Sequence, residues 1–271
     1  MYLISVEGGD GSGKGEAARI LKEIVSDFPF PAVVMTHEPR RNSPIGMLAL
    51  ESVKKGDKTP LQEAALFAAD RLDHTHTWIL PKLQSGELVI SDRNIHSSLV
   101  YQGSVGSLGY RKVALMNAGA AIPDLVIWVD CDPAMAMKRI NRGTLRGSSQ
   151  KAEYFETNEL QTKVREGFHE LLANPEKAPA PFDLCTIAGP ILNEGSKKQL
   201  KKDLSTAIRG FLNKRPPPLN VDSQVVDRHH LQRLVEGMAT QKRLPGSPIE
   251  STSLMEDWLA GRSPASWLEK A

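Results

Sequence analysis

Leu3-Ile4-Ser5-Val6-Glu7-Gly8-Gly9-Asp10-Gly11-Ser12-Gly13-Lys14-Gly15-Glu16 decides the fold, because an apolar strand-like run passes through a glycine-rich loop into a lysine. The residues that follow, Ala17, Ala18, Ile20, Leu21 and Ile24, repeat at helical spacing. Strand, glycine loop and helix in that order form the context in which successive backbone N–H groups turn inward onto phosphate oxygens. Lys14 adds a movable positive charge, so Gly8 through Lys14 read as an anion cradle and nucleotide binding becomes the working expectation. After the lysine, the hydroxyl side chain that usually meets Mg²⁺ is replaced by Gly15, and Glu16 follows it. A carboxylate near phosphates repels them unless it turns away, pairs with a cation or helps hold the metal.

Working outward, short apolar runs alternate with helix-length segments: Leu3–Val6, Ala32–Met35, Leu88–Ser91, Leu125–Val129 and Leu184–Ile187. The alternation predicts a five-stranded parallel sheet flanked by helices in three layers, which, with the glycine loop after the first strand, resembles the P-loop NTPase fold. A helical stretch from about Glu194 to Leu212 ends before Lys214-Arg215-Pro216-Pro217-Pro218, where consecutive prolines cannot continue a helix. The expected division is therefore a body over residues 1–213, a Pro-rich linker over 214–220 and a C-terminal extension over 221–271. Helical spacing in Val221–Ala239 and Leu254–Ala260 makes that extension helical.

Length and composition set bounds. The 271 residues allow one α/β body of about 200 residues plus an appendage. The two cysteines, Cys131 and Cys185, lie in apolar runs and suit buried reduced thiols, so a cytoplasmic protein is expected. No signal-like segment opens the sequence, and no run approaches the roughly 18 apolar residues of a membrane span. With 34 basic and 32 acidic residues the net charge of +2 gives no broad field for nucleic acid. The seven histidines show no metal-ligand spacing; His74 and His76 stand two apart on an expected helix, and His229 and His230 are adjacent, which reads as solvated or capping residues.

Asp92 and Arg93 close the run Val89-Ile90-Ser91 and should emerge at a strand's C-terminal end, where open α/β sheets bind ligands. There the aspartate can hold Mg²⁺ directly or through water and the arginine can fork onto a phosphate. Leu66-Phe67-Ala68-Ala69-Asp70-Arg71, Val89-Ile90-Ser91-Asp92-Arg93 and Ser97-Ser98-Leu99-Val100-Tyr101-Gln102-Gly103, together with the loop, resemble thymidylate kinase motifs in that family's order and spacing. His37-Glu38-Pro39 with Arg41, Pro123-Asp124-Leu125, and Phe155-Glu156 through Lys163-Val164-Arg165-Glu166 extend the resemblance over about residues 1–212.

The resemblance implies an ATP-dependent, Mg²⁺-assisted nucleoside monophosphate kinase that makes dTDP from dTMP and forms a homodimer, with neither nucleic acid nor membrane as partner. It places ATP on Gly8, Gly9, Asp10, Gly11, Ser12, Gly13, Lys14, Gly15 and Glu16. Asp10 should approach the deoxyribose 3′-hydroxyl, Phe67 should stack on thymine, Arg71 and Gln102 should meet the base edge, and Arg41 and Arg93 should clamp the monophosphate. Glu38, Ser97 and Ser98 complete the substrate side. With Gly11 at the loop position where some members carry arginine, the catalytic arginine falls to a lid at about 142–152, following Arg139 on the helix expected over Pro133–Arg142, with Arg142 and Arg146 as candidates beside Lys14, Asp92 and Arg93. Asn94 and His96 stand where many members carry Tyr and Asp near sugar and phosphate, which admits another pyrimidine monophosphate such as dUMP. Glu16 admits a nucleotide-binding protein of weak turnover.

Overall fold

A computed structural model describes residues 1–142, 158–221 and 223. Five strands, β1 (Leu3–Glu7), β2 (Val33–His37), β3 (Leu88–Asp92), β4 (Leu125–Asp130) and β5 (Thr186–Leu192), form one parallel sheet in the order β2-β3-β1-β4-β5. Register sets Ile4 beside Ile90 and Leu125, so β1 runs through the centre and its C-terminal end delivers the glycine loop to the middle of the sheet edge.

Alternation sorts the core into two layers. Ile4, Val6, Leu88, Ile90, Leu125 and Ile127 face α1 (Lys14–Val25) and α9 (Lys197–Lys214), meeting Ala17, Leu21, Leu204 and Ile208. On the other face Val126 and Trp128 pack against α5 (Ile95–Ser98), the π-helical segment Leu99–Val105, α6 (Tyr110–Met116) and α8 (Asn158–Leu172). Leu3 and Val89 meet α4 (Leu80–Gln84). The inner strands β1 and β4 are buried from both sides, which is why their sequences are near-continuous apolar runs, whereas β2 is half-buried and β5 mostly exposed at the two edges. Helix α2 (Pro44–Lys55) and α3 (Pro60–His74) each begin with proline after a capping side chain, Ser43 and Thr59; Thr59 and Gln62 form a capping box. Helix α7 (Pro133–Asn141) starts on Asp132, whose carboxylate accepts from the N–H groups of Ala134 and Met135.

The fifth strand begins later than the apolar run suggests. Phe182–Leu184 forms a turn of 3₁₀-helix, with Phe182 buried and Leu184 exposed, and the strand extends to Leu192. Cys131 and Cys185 are buried and unbridged, and burial pushes both thiols upward. Helix α9 ends at Arg215 in the left-handed conformation, and the prolines that follow do not run free: Tyr2 Oη donates to Pro216 O at 2.6 Å, Leu219 N–H to Asp124 at 2.6 Å, and Asn220 pairs both ways with the Ile122 backbone. The expected helical extension beyond residue 223, and the expected lid at about 142–152 apart from Arg142, lie outside the described residues.

Candidate functional site

Strand β1 is followed by the loop Gly8–Gly13, and two of its glycines show why no other residue serves. Gly13, at φ +95°, caps α1, and a Cβ there would stand 2.1 Å from Asn193 Nδ2. Gly11, at φ +75°, would put a Cβ 2.5 Å from Ala136 O of α7, so position 11 has no room for an arginine. The loop is braced from behind: Arg139 donates to Gly11 O at 3.2 Å and to Asn193 O at 2.7 Å, and Asn193 donates to Ser12 O at 2.8 Å. Arg139, expected on the helix leading into the lid, thus serves the loop from α7.

Lys14 bends back to donate from Nζ to Gly9 O at 2.7 Å. Burial and Arg93 pull its ammonium down to about 8, against the opposing carboxylates of Asp10, Asp92 and Glu7. Gly15 stands next to Asp92: a Cβ at that glycine would be in ordinary contact with Asp92 Oδ2, at 3.5 Å. Glu16 faces elsewhere: it pairs with Arg19 at 2.5 Å and with Lys197 of α9, and those cations hold its carboxyl below the usual range, the bond from Lys197 most of all.

Strand β3 ends at Asp92, and Arg93 follows in the left-handed region at φ +69°, an unfavourable backbone state for a branched-chain-free cation as for any non-glycine. Its guanidinium reaches three elements. Nη1 donates to Ser97 Oγ at 2.9 Å and Gly8 O at 3.2 Å, and Nη2 to Asp10 Oδ1 at 2.5 Å, while the cation lies 5.0 Å from the centre of the Tyr101 ring. Tyr101 Oη donates to the other Asp10 oxygen at 3.0 Å. Burial alone would raise the Asp10 carboxyl, but Arg93 and Lys14 hold it at about 2. Beneath this cluster Glu7, wholly buried, accepts from Asn94 N–H at 2.7 Å and Ser97 Oγ at 2.6 Å; burial lifts its carboxyl to about 7, with the Ser97 bond and Arg93 opposing.

A cleft opens onto Asp10, Asp92 and Arg93 and is walled by Glu38, Arg41, Phe67, Arg71, Ser97, Ser98, Tyr101 and Gln102. Phe67 and Arg71 are one turn apart on α3, and Phe67 is half-buried, with its ring on the cleft instead of in a closed core. Arg71 is gripped from several sides: Nε donates to Glu38 at 2.7 Å, Nη1 to Asn117 at 2.6 Å, and Nη2 to Ser98 Oγ at 2.9 Å. Despite burial, Arg71 and His74 keep the Glu38 carboxyl below its usual range. Arg41 is exposed at the cleft rim.

Two expectations change. His74, His76 and His96 are buried instead of solvated; His74 bridges Thr36 and Glu38 at 2.7 and 3.1 Å, so it is an interior hydrogen-bonding residue. Asn94 and His96 are also interior and do not line the cleft: Asn94 caps α5 with its side chain and reaches Glu38, and burial together with Arg71 drives His96 down to about 4, keeping it neutral. Sequence reasoning gave no role to Glu7, Asn117 and Asn193, single polar residues without a motif of their own. Tyr101 belongs to the Ser97–Gly103 motif, which by itself gives no sign of its contact with Asp10. Arg142 is exposed at the end of α7, and Arg146 lies outside the described residues. The cleft, the loop and the Asp92–Arg93 strand end therefore meet at one edge of the sheet.

Comparison with known proteins points the same way. A family model described as thymidylate kinase matches residues 6–179. A probable thymidylate kinase of Thermococcus onnurineus is 41% identical over 180 residues, covering 63% of this chain and 83% of that protein. A probable thymidylate kinase of Pyrobaculum aerophilum is 39% identical over 167 residues, 61% of this chain and 80% of its own length. A thymidylate kinase of Leifsonia xyli subsp. xyli is 36% identical over 180 residues, 65% and 83% respectively.

Proposed function

The chain belongs to the thymidylate kinase family of nucleoside monophosphate kinases, and from that premise we propose that it transfers the γ-phosphoryl group of ATP to dTMP, giving dTDP and ADP. The observation that carries the reading is that Asp10 and Arg93, with Lys14 close enough to act on both, face a cleft walled by Phe67, Arg71 and Gln102. Phosphoryl transfer asks for positioning and charge neutralisation rather than a covalent relay. In this reading the loop N–H groups and Lys14 hold the donor phosphates, and Arg93 and Arg41 hold the acceptor phosphate. Asp10, ionised throughout the working pH range, accepts from the sugar hydroxyl. Phe67 stacks on the base, while Arg71 and Gln102 address its edge, with Glu38, Ser97 and Ser98 fixing the guanidinium and phosphate clamps around them. The lid arginine, Arg142 or Arg146, closes the charge balance.

The donor set fits a Mg²⁺ ion brought in with the nucleotide. Mg²⁺ keeps several of its waters and binds through one or two carboxylates plus phosphates, so a single carboxylate at the strand end suffices. Asp92, which stands beside Gly15, would hold that ion directly or through water. When bound, the ion supplies charge neutralisation on the phosphate oxygens.

The test is a coupled assay with ATP and each common monophosphate in turn. Preferential turnover of dTMP is expected; equal or better turnover of dAMP or dGMP would overturn the reading. The interior positions of Asn94 and His96 remove the reason to favour dUMP. Glu16, tied to Lys197 and Arg19, gives no reason to expect weak turnover: Glu16→Thr should change kcat by no more than about threefold, since exposed ion pairs contribute little. A deep loss of kcat would assign Glu16 to the metal or ATP. A homodimer and a cytoplasmic location are part of the proposal; no helix among the described residues is long and apolar enough to cross a membrane.

A further inference from the structure

Gln102 is held by a residue that does not itself line the cleft. Its side chain is 3% exposed, and its amide nitrogen donates to Glu63 Oε1 at 2.9 Å. The amide oxygen is buried with no hydrogen-bond partner among the described residues. Glu63 lies in the first turn of α3, one turn before Phe67 and two before Arg71, so the three share a helix face. A carboxylate can only accept hydrogen bonds, so the –NH₂ end of the amide must be the end turned toward it. Burial holds the Glu63 carboxyl somewhat above its usual range, with the bond from Gln102 opposing.

A buried acceptor without a partner is costly unless something entering the cleft donates to it, and the pairing with Glu63 leaves Gln102 Oε1 as the only group of this side chain free to accept. We propose that Glu63 is a positioning residue for base specificity: by holding the Gln102 amide nitrogen it presents Oε1 to the ring, selecting a pyrimidine with an N3–H donor, thymine or uracil, against cytosine, whose N3 is an acceptor. This rests on the reading of the cleft as the base site. A side chain in a cleft built to hydrogen-bond N–H leaves that acceptor unpaired when the wrong ring enters, which is the larger kind of discrimination a site can make.

The experiment measures kcat and KM of the full chain with dTMP and with dCMP for wild type, Glu63→Gln, Glu63→Ala and Gln102→Ala, with melting temperatures to report folding. In Glu63→Gln the new amide can donate to Gln102 Oε1 and permit the reversed orientation. The dTMP-to-dCMP ratio of kcat/KM should fall by roughly tenfold, with the loss in KM for dTMP rather than in kcat. Glu63→Ala removes the acceptor and should move the ratio the same way, so it carries the test if Glu63→Gln does not fold. If Gln102→Ala loses selectivity while both Glu63 variants keep the wild-type ratio, the role of Glu63 is overturned and the base site stands. If Gln102→Ala also keeps the ratio, the base-site reading itself fails.

Discussion

At the residue scale, two buried charges near the loop behave in opposite ways. Lys14 contributes its charge where the transferring group sits and little packing, so Lys14→Ala should lower kcat by at least about a hundredfold while the melting temperature stays close to wild type. Near wild-type turnover in that variant would remove the loop from catalysis. Glu7 binds its proton more tightly folded than unfolded, because its carboxyl rises from 4.5 to about 7 in the interior. The stabilisation from that proton is fully present below 4.5 and is lost as pH rises through 7. Glu7→Gln, neutral at every pH, should lack this dependence. Denaturant titrations should show wild-type stability falling relative to the variant by on the order of 3 kcal/mol across that window. A difference that stays flat with pH would mean that the Glu7 carboxyl titrates alike in the folded and unfolded chain, and one that grows with pH would mean that Arg93 holds it ionised.

At the element scale, the turn from β1 into α1 depends on its neighbours as much as on its own glycines. Gly11 faces the Ala136 carbonyl of α7 and adopts a positive φ, so Gly11→Ala meets both a 2.5 Å contact and backbone strain. That variant should lose at least about tenfold in kcat/KM for ATP, checked by varying ATP at saturating dTMP; unchanged ATP kinetics would show that α7 yields freely. Much of this level is legible in the sequence. Gly8 to Lys14, the strand runs and Asp92-Arg93 carry their own local signals, since strand burial and phosphate binding each demand a short contiguous pattern. The start of β5 is not legible, because Leu184 is apolar yet ends a 3₁₀ turn and faces outward. Nor is the burial of His74 and His96, or the tie of Glu16 to Lys197, each of which is fixed by an element distant in the chain.

At the scale of the whole molecule, the proposed division at 213 and 214 has a physical test. Tyr2, Asp124 and Ile122 each bond the segment 216–220, and Asp124, lifted to about 6 chiefly by burial, accepts from both Leu3 and Leu219. A chain ending at Asn213 should therefore melt several degrees lower, by about 2 kcal/mol for the lost hydrogen bonds, with kcat for dTMP retained; an unchanged melting temperature would make the strap decorative. Its position follows from the parallel sheet. Tyr2 and Asp124 immediately precede β1 and β4, whereas Gly8 and Asp92 stand at the strands' far ends, about 17 Å away along five residues. The strap therefore works like a mooring at the opposite pole. A pull applied at Ser223 would load its bond from Gln84 and then the seam between Asn220 and Ile122, both on the side of the sheet away from the phosphate cradle.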